Sequence, residues 1–200
     1  MSPLPDQEIH NIVDRVVRQT LGYLPQSAQN NPVPQTMDMP NSKPIPPTKK
    51  IAIGSDHGGY ELKEILKTEL AGQGYEVVDC GTNSKEAVDY PDFALAVAQK
   101  VSAGDVWRGI VIDGAGIGSC MTANKVPGVR AAMCYDYASA SNSREHNDAN
   151  VLTLGAGLIG TNQAKLIVKT WLATEFGGGR HQKRIDKIIN IEKQFLKDGK

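Results

Sequence analysis

From residue 50 onward, short apolar runs alternate with stretches in which apolar residues recur every three or four positions. The runs predict five strands, which in chain order read KIAIGS, YEVVDCG, GIVIDG, VRAAMC and VLTLG. The other stretches predict helices near residues 59–71, 92–101, after 118, 137–146, 162–174 and 179–195. Strands alternating with helices predict right-handed crossovers and one parallel sheet covered on both faces. We therefore expect residues 50–200 to form a single doubly wound, Rossmann-like α/β/α sandwich with strand order 2-1-3-4-5.

The first 49 residues follow a different pattern. Within residues 1–24, apolar side chains recur at helical spacing, which predicts one amphipathic helix: Ile9, Ile12, Val13, Val16, Val17 and Leu21. Residues 25–49 hold seven prolines and little apolar content, which predicts a disordered linker. Two interpretations of the helix stay open. It docks on its own domain or self-associates, or it is an address, since a short amphipathic helix on a Pro-rich tether resembles the encapsulation peptides of bacterial microcompartments.

Composition and charge narrow the classes of partner. Lys plus Arg and Asp plus Glu number 22 each, so no overall charge favours nucleic acid or a membrane surface. No apolar run is long enough to span a bilayer. Three widely spaced cysteines without a CxxC pair favour a reducing compartment over disulfides or a zinc site. We expect a cytoplasmic protein without a metal site, in the lumen of a microcompartment if the address interpretation holds.

Ligands of doubly wound sheets bind beyond the carboxyl ends of the strands, so the residues there are the candidate site. GAGLIG at 155–160 matches a dinucleotide fingerprint, but no strand follows it, and we interpret it as a turn. DGAGIG at 113–118 differs, because successive N–H groups of a glycine loop can hold an anion. SDHGG, SREHNDAN and GGRHQKRID add histidines and a pair of arginines four residues apart. Together these motifs favour a small, phosphorylated, hydroxyl-rich ligand.

The same motifs carry a family resemblance. GSDHGGYELK, DYPDFA, GAGIGSCMTANKVPGVRAA, SREHNDANVL and GGRHQKRI resemble the sugar-phosphate isomerases that include type B ribose-5-phosphate isomerase and the galactose-6-phosphate isomerase subunits. The resemblance covers residues 50–195. It implies an aldose–ketose isomerase that uses no cofactor and no metal. It also implies a homodimer or tetramer, with each active site built across a subunit interface.

The resemblance further implies roles for individual residues. His146 opens the sugar ring by proton transfer, a base removes a proton next to the carbonyl, and the N–H groups of Gly114, Gly116 and Gly118 stabilise the enediolate. The positions that contact sugar hydroxyls are Asp56, Tyr90 and Asn147. The positions that hold the phosphate are His57, Arg180 and Arg184.

Departures from the family pattern concentrate near the expected base. Many members have a catalytic cysteine where this chain has Asp113, and another branch has a glutamate base where it has Ser119. A small hydroxyl residue and an arginine of the family are replaced by Ala115 and Gly157. Either Asp113 is the base, with its pKa raised by burial, or the proton-transfer machinery has decayed and the chain binds a ligand or serves as a microcompartment component. We predict the first. Cys120, near a helix N-terminus, is a weaker rival base, and its helical position favours packing of the side chain instead.

Overall fold

In the computed structural model, residues 49–196 are described, and they form an alternating series of strands and helices. The strands are β1 (Lys50–Ser55), β2 (Glu76–Asp79), β3 (Arg108–Asp113), β4 (Ala131–Met133) and β5 (Val151–Gly155). The helices are α1 (Tyr60–Gly72), α2 (Tyr90–Ser102), α3 (Ile117–Ala123), α4 (Tyr137–Glu145), α5 (Thr161–Ala173) and α6 (Arg180–Phe195). The predicted N-terminal helix and nearly all of the predicted linker lie outside the described residues.

The five strands form one parallel sheet in the order β2-β1-β3-β5-β4. This confirms the doubly wound α/β fold, but the predicted order 2-1-3-4-5 is wrong at its last two strands. Strand β5 pairs with β3 over five residues and with β4 over three. All five residues of β5 are buried, whereas the three residues of β4 are only half-buried. The longer, fully buried strand therefore occupies the interior of the sheet and the short one its edge.

Alternating residues of the central strands supply two separate cores, one on each face of the sheet. On one face Ile51, Ile110 and Leu152 pack with the apolar sides of α1 and α5. On the other face Ala52 and Val111 pack with α2 and α3. Because a strand points successive side chains to opposite faces, the continuous apolar runs of β1 and β3 supply both cores.

Two local interactions fix the ends of helices. Asp136 caps the start of α4, since its carboxylate accepts a hydrogen bond from the Ser139 N–H at 2.7 Å. At the end of α5, the buried guanidinium of Arg108 donates to the carbonyls of Trp171 at 2.7 Å and Leu172 at 3.1 Å. Burial, together with the charge of Arg144, lowers the pKa of Arg108 to about 10. Arg108 therefore supplies donors to carbonyls that the helix itself leaves unpaired.

None of the helices between residues 49 and 196 combines the length and apolar character that a membrane span requires.

Candidate active site

The carboxyl ends of the parallel strands place three of the predicted motifs side by side. A Cβ atom added to Gly58 would lie 3.3 Å from Asp56 Oδ1 and 3.6 Å from the backbone N of Gly114. A Cβ atom added to Gly118 would lie 2.4 Å from Cζ of Tyr90, so the tyrosine ring rests directly on that glycine. Asp56 and Tyr90 thus flank the segment 113–119, which we call the glycine loop.

The backbone of the glycine loop is fixed by its neighbours. The N–H groups of Ala156 and Gly157 donate to the carbonyls of Asp113 at 2.8 Å and Gly114 at 3.0 Å. The Thr153 hydroxyl donates to the Gly116 carbonyl at 2.9 Å. Gly116 has φ of 79°, in the left-handed region that favours glycine, and a Cβ there would lie 2.9 Å from the carbonyl carbon of Leu154. The loop is therefore a rigid, closely packed turn.

The Asp113 carboxylate is buried in this loop and accepts four hydrogen bonds from it. Its Oδ1 accepts from the N–H of Ala115 at 2.8 Å and from the N–H of Gly116. Its Oδ2 accepts from the Ser119 N–H at 3.0 Å and from the Ser119 hydroxyl. To remove a substrate proton, Asp113 would have to release at least one of these bonds. Its role as the base stays a prediction.

Three backbone N–H groups of the glycine loop do not donate to Asp113. The N–H groups of Gly114, Ile117 and Gly118 have no acceptor within the described part of the chain. Of the three glycines predicted to stabilise an oxyanion, Gly114 and Gly118 thus keep a free N–H, whereas the N–H of Gly116 is occupied. The loop still offers unpaired donors to an incoming negative charge.

Asp56 and His57, which directly follow β1, have side chains oriented by different contacts. The buried Asp56 carboxylate accepts a hydrogen bond from the Gly59 N–H at 2.9 Å through Oδ1. The exposed His57 ring has its Nδ1 3.2 Å from both the N and the O of Val88. These contacts orient both side chains at the carboxyl ends of the strands, where a sugar hydroxyl or a phosphate could reach them.

The rival base Cys120 packs against the sheet, as its helical position predicts. Its thiol is directed toward β4, with Sγ 3.5 Å from the carbonyl oxygen of Ala131. Burial raises the pKa of the Cys120 thiol, so the predicted lowering by a helix N-terminus is wrong. Helix α3 has only two turns, and desolvation of the thiol outweighs any favourable effect of its dipole.

A second group of predicted residues meets at the end of α4, and we call it the histidine–arginine cluster: His146, Asn147, Arg180, His181 and Arg184. The rings of His146 and His181 stack with centroids 4.2 Å apart and planes 6° apart. Arg180 Nε lies 3.5 Å from His181 Nε2. Desolvation, reinforced by the charges of His146, Arg180 and Arg184, lowers the pKa of His181. The cluster therefore brings two guanidinium groups close to a stacked pair of histidines.

His146 and Asn147 both contact Asn142, one turn earlier in α4. The Nδ1 atom of His146 lies 2.8 Å from Asn142 Nδ2, and Asn147 Nδ2 lies 3.4 Å from Asn142 Oδ1. His181 lies within the GGRHQKRID motif, and the sequence pattern assigns it no role. The stack on His146 follows from the meeting of α4 and α6, which sequence spacing does not reveal.

In one chain, the glycine loop lies at the carboxyl ends of the strands and the histidine–arginine cluster lies at their amino ends. We call these two ends of the strands the carboxyl edge and the amino edge. Helix α4 starts after the carboxyl end of β4 and returns to the amino ends of the strands, where the Asn150 N–H donates to the carbonyl of Arg130, just before β4. The five residues of β5 separate the two edges by about 15 Å. The expectation that both sets of motifs flank the glycine-rich strand ends of one chain is therefore wrong for the histidine–arginine cluster. The alternation of strands and helices predicts this separation, because a crossover helix must return to the amino ends of the strands.

Within residues 49–196, no group of three or more His, Cys, Asp or Glu side chains is arranged to hold a metal ion.

Fold and site together define a doubly wound α/β protein with a glycine loop at the carboxyl ends of its strands. The chain belongs to the Ribose/Galactose Isomerase family, whose model matches residues 51–188. It is 47% identical over 146 residues to ribose-5-phosphate isomerase B of Escherichia coli, an alignment that covers 73% of this chain and 98% of the relative.

Solved structures give the same result. A ribose-5-phosphate isomerase B from Clostridium thermocellum is 55% identical, with a TM-score of 0.72, and the match covers 73% of this chain and 99% of that one. The Mycoplasma genitalium ribose-5-phosphate isomerase B, solved with bound ribulose-5-phosphate, is 46% identical with a TM-score of 0.70 and coverage of 72% and 97%. The predicted family is thus confirmed.

Proposed function

We propose that the chain is an aldose–ketose isomerase of a phosphorylated sugar, with ribose 5-phosphate and ribulose 5-phosphate as the first substrates to test. The observation that carries this proposal is the glycine loop, with its free N–H groups flanked by Asp56 and Tyr90. Relatives that share the fold over nearly their whole length are ribose-5-phosphate isomerases by name, and one was solved with ribulose-5-phosphate.

The proposed chemistry divides between the two edges of the sheet. At the histidine–arginine cluster, His146 transfers the proton that opens the sugar ring, and Arg180 and Arg184 hold the phosphate. At the carboxyl edge, a base moves a proton between neighbouring carbons, and the enediolate oxygen accepts hydrogen bonds from Gly114 and Gly118. Asp56 and Tyr90 contact sugar hydroxyls there, His57 adds a phosphate contact, and Asn147 contacts a hydroxyl from the other edge.

We infer that one active site uses two copies of the chain, because the two edges of one copy are too far apart to share a pentose phosphate. The carboxyl edge of one copy faces the histidine–arginine cluster of the second. Helix α6 supports this arrangement, since it exposes Ile188, Ile191 and Phe195 with 48%, 55% and 80% of their surface accessible. A homodimer or tetramer that covers these side chains also completes the site.

The direct test is an isomerisation assay with pentose and hexose phosphates. Wild type should interconvert an aldose phosphate and its ketose, and His146→Ala should lower kcat on the cyclic substrate by about a hundredfold or more. Asp113→Asn decides the base: a comparable loss of kcat supports Asp113, and an unchanged kcat removes it from that role. Absence of turnover by wild type on every sugar phosphate would contradict the proposed function.

Residues 1–24 carry the separate proposal of an address to a microcompartment lumen. Deletion of these residues should leave folding and catalysis intact and abolish co-localisation with a shell protein, observed by fluorescence microscopy. Unfolding of the truncated chain would instead give the helix a structural role.

A further inference from the structure

We propose that Asp113 is a resident anion, whose carboxylate occupies N–H donors of the glycine loop and competes with the negatively charged oxygen of the substrate. This inference rests on the proposed function and assigns Asp113 a role other than that of the base. Asp113 then sets how many loop donors an enediolate can use.

The geometry supporting this is the convergence of donors on one side chain. Three backbone N–H groups from Ala115, Gly116 and Ser119, together with the Ser119 hydroxyl, point at the two oxygens of Asp113. A concave array of backbone N–H groups is a binding site for an oxyanion. Here the oxyanion belongs to the residue that begins the loop, so the site is already filled without any ligand.

Within the described part of the chain, the charge of this carboxylate has no ionic partner. Among residues 49–196, no Lys, Arg or His nitrogen lies within ion-pair distance of Asp113. Its charge is therefore balanced by N–H and O–H dipoles alone, which is also how an enediolate would be stabilised in this loop. The side chain and the reaction intermediate thus require the same kind of partner.

The Asp113 carboxylate reduces the number of loop N–H groups that a substrate can use. Residues 114–119 supply six backbone N–H groups, of which Asp113 occupies those of residues 115, 116 and 119. The other three, at Gly114, Ile117 and Gly118, have no acceptor within the described residues. A Cβ added to Gly114 would meet no heavy atom within 4 Å outside its two neighbouring residues, so open space adjoins the Cα of Gly114 at the start of the loop. Truncation of Asp113 should release the occupied donors to a ligand in that space.

The test compares the affinity of the full-length protein for two probes by isothermal titration calorimetry. One probe is a phosphorylated sugar hydroxamate, which mimics the enediolate, and the other is inorganic phosphate, which reports on the proposed phosphate contacts of His57, Arg180 and Arg184. Asp113→Ala should bind the hydroxamate about tenfold tighter than wild type, a fraction of the roughly hundredfold that one oxyanion donor contributes to rate. Phosphate affinity should not change.

Two further variants keep the test decisive. Asp113→Asn retains one acceptor oxygen and should give a smaller gain in hydroxamate affinity, and it replaces the alanine variant if that variant fails to fold. Ser119→Ala removes a donor without freeing a backbone N–H, so it should give no gain. A merely structural Asp113 would predict a weakened loop, with equal or lower hydroxamate affinity in both Asp113 variants, and that result would overturn the inference.

Failure of the two proposals can be told apart. If phosphate binding persists and the hydroxamate does not bind tighter in the Asp113 variants, only the resident-anion inference fails. If wild type and all variants bind neither probe, the proposed function fails, and the inference fails with it.

Discussion

The two edges of the sheet offer opposite kinds of binding surface. At the carboxyl edge, the glycine loop is held by neighbouring N–H and hydroxyl donors, and its buried carboxylate is fully hydrogen-bonded. At the amino edge, the histidine–arginine cluster consists of stacked rings and exposed guanidinium groups with few fixed contacts. A rigid backbone frame suits a charge that develops at one atom, whereas long cationic side chains suit a mobile phosphate. The comparison suggests that two copies combine these properties in one site.

The largest expected effect is the loss of isomerase activity when one edge is inactivated by mutation, with partial recovery when two complementary variants are combined. Asp56→Ala damages the carboxyl edge and His146→Ala the amino edge, so each homogeneous protein should have almost no isomerase activity. Co-expression of the two variants should restore about a quarter of wild-type activity, because half of randomly formed dimers are mixed and each has one intact site. The measurement is the isomerisation rate of the purified mixture. No recovery in proven mixed dimers would mean that each site is complete within one chain.

A loss of stability should follow from removing the buried cation of the amino edge. Arg108→Met leaves the carbonyls of Trp171, Leu172 and Thr174 without its donors, at a cost of about 2–3 kcal/mol in the free energy of unfolding. Chemical denaturation measures the change. Lys169→Met on the exposed side of α5 is the matched control and should change stability by less than about 0.5 kcal/mol. Equal effects of both substitutions would argue against the capping role of Arg108.

A smaller effect on activity should follow at the carboxyl edge. In Gly118→Ala the new methyl group would overlap the Tyr90 ring, which must move away from the glycine loop. We expect kcat/KM to fall by about tenfold, because small displacements of positioning groups cost catalysis. Gly72→Ala, where a Cβ meets no atom within 4 Å, is the control. An unaltered kcat/KM in Gly118→Ala would show that the position of Tyr90 is not critical.

The smallest effect concerns the pH dependence of stability at the amino edge. The pKa of His181 lies below its ordinary value of 6.5, so the folded protein resists protonation that the unfolded chain accepts. Its contribution is therefore present above that value and is lost as the pH falls through the lower folded-state pKa. The thermal midpoint should decrease between about pH 7.5 and about pH 5.5, and His181→Gln should decrease less over the same interval. Parallel decreases in both proteins would contradict this assignment.

Much of the molecule follows from local sequence pattern. Apolar runs placed the five strands, and β5 was predicted with the bounds that the structure gives it, because all of its residues are buried. The motifs around Asp56 and Gly118 are predicted as neighbours because parallel strands end at the same edge, whereas Tyr90 enters the site only through the family resemblance. Helix bounds differ by at most two residues; α2, for example, starts at Tyr90 rather than Asp92, since Pro91 suits the first turn of a helix.

What the tertiary structure alone decided is how these pieces meet. The order of β5 and β4 depends on their relative burial, a comparison between distant segments that no local periodicity contains. The direction of the Asp113 carboxylate depends on closure of the glycine loop, which brings the N–H of Ser119 back to a side chain six residues earlier. The separation of His146 from Gly114 depends on the return path of α4. A sequence specifies which groups are available, and packing determines which of them come within hydrogen-bonding distance.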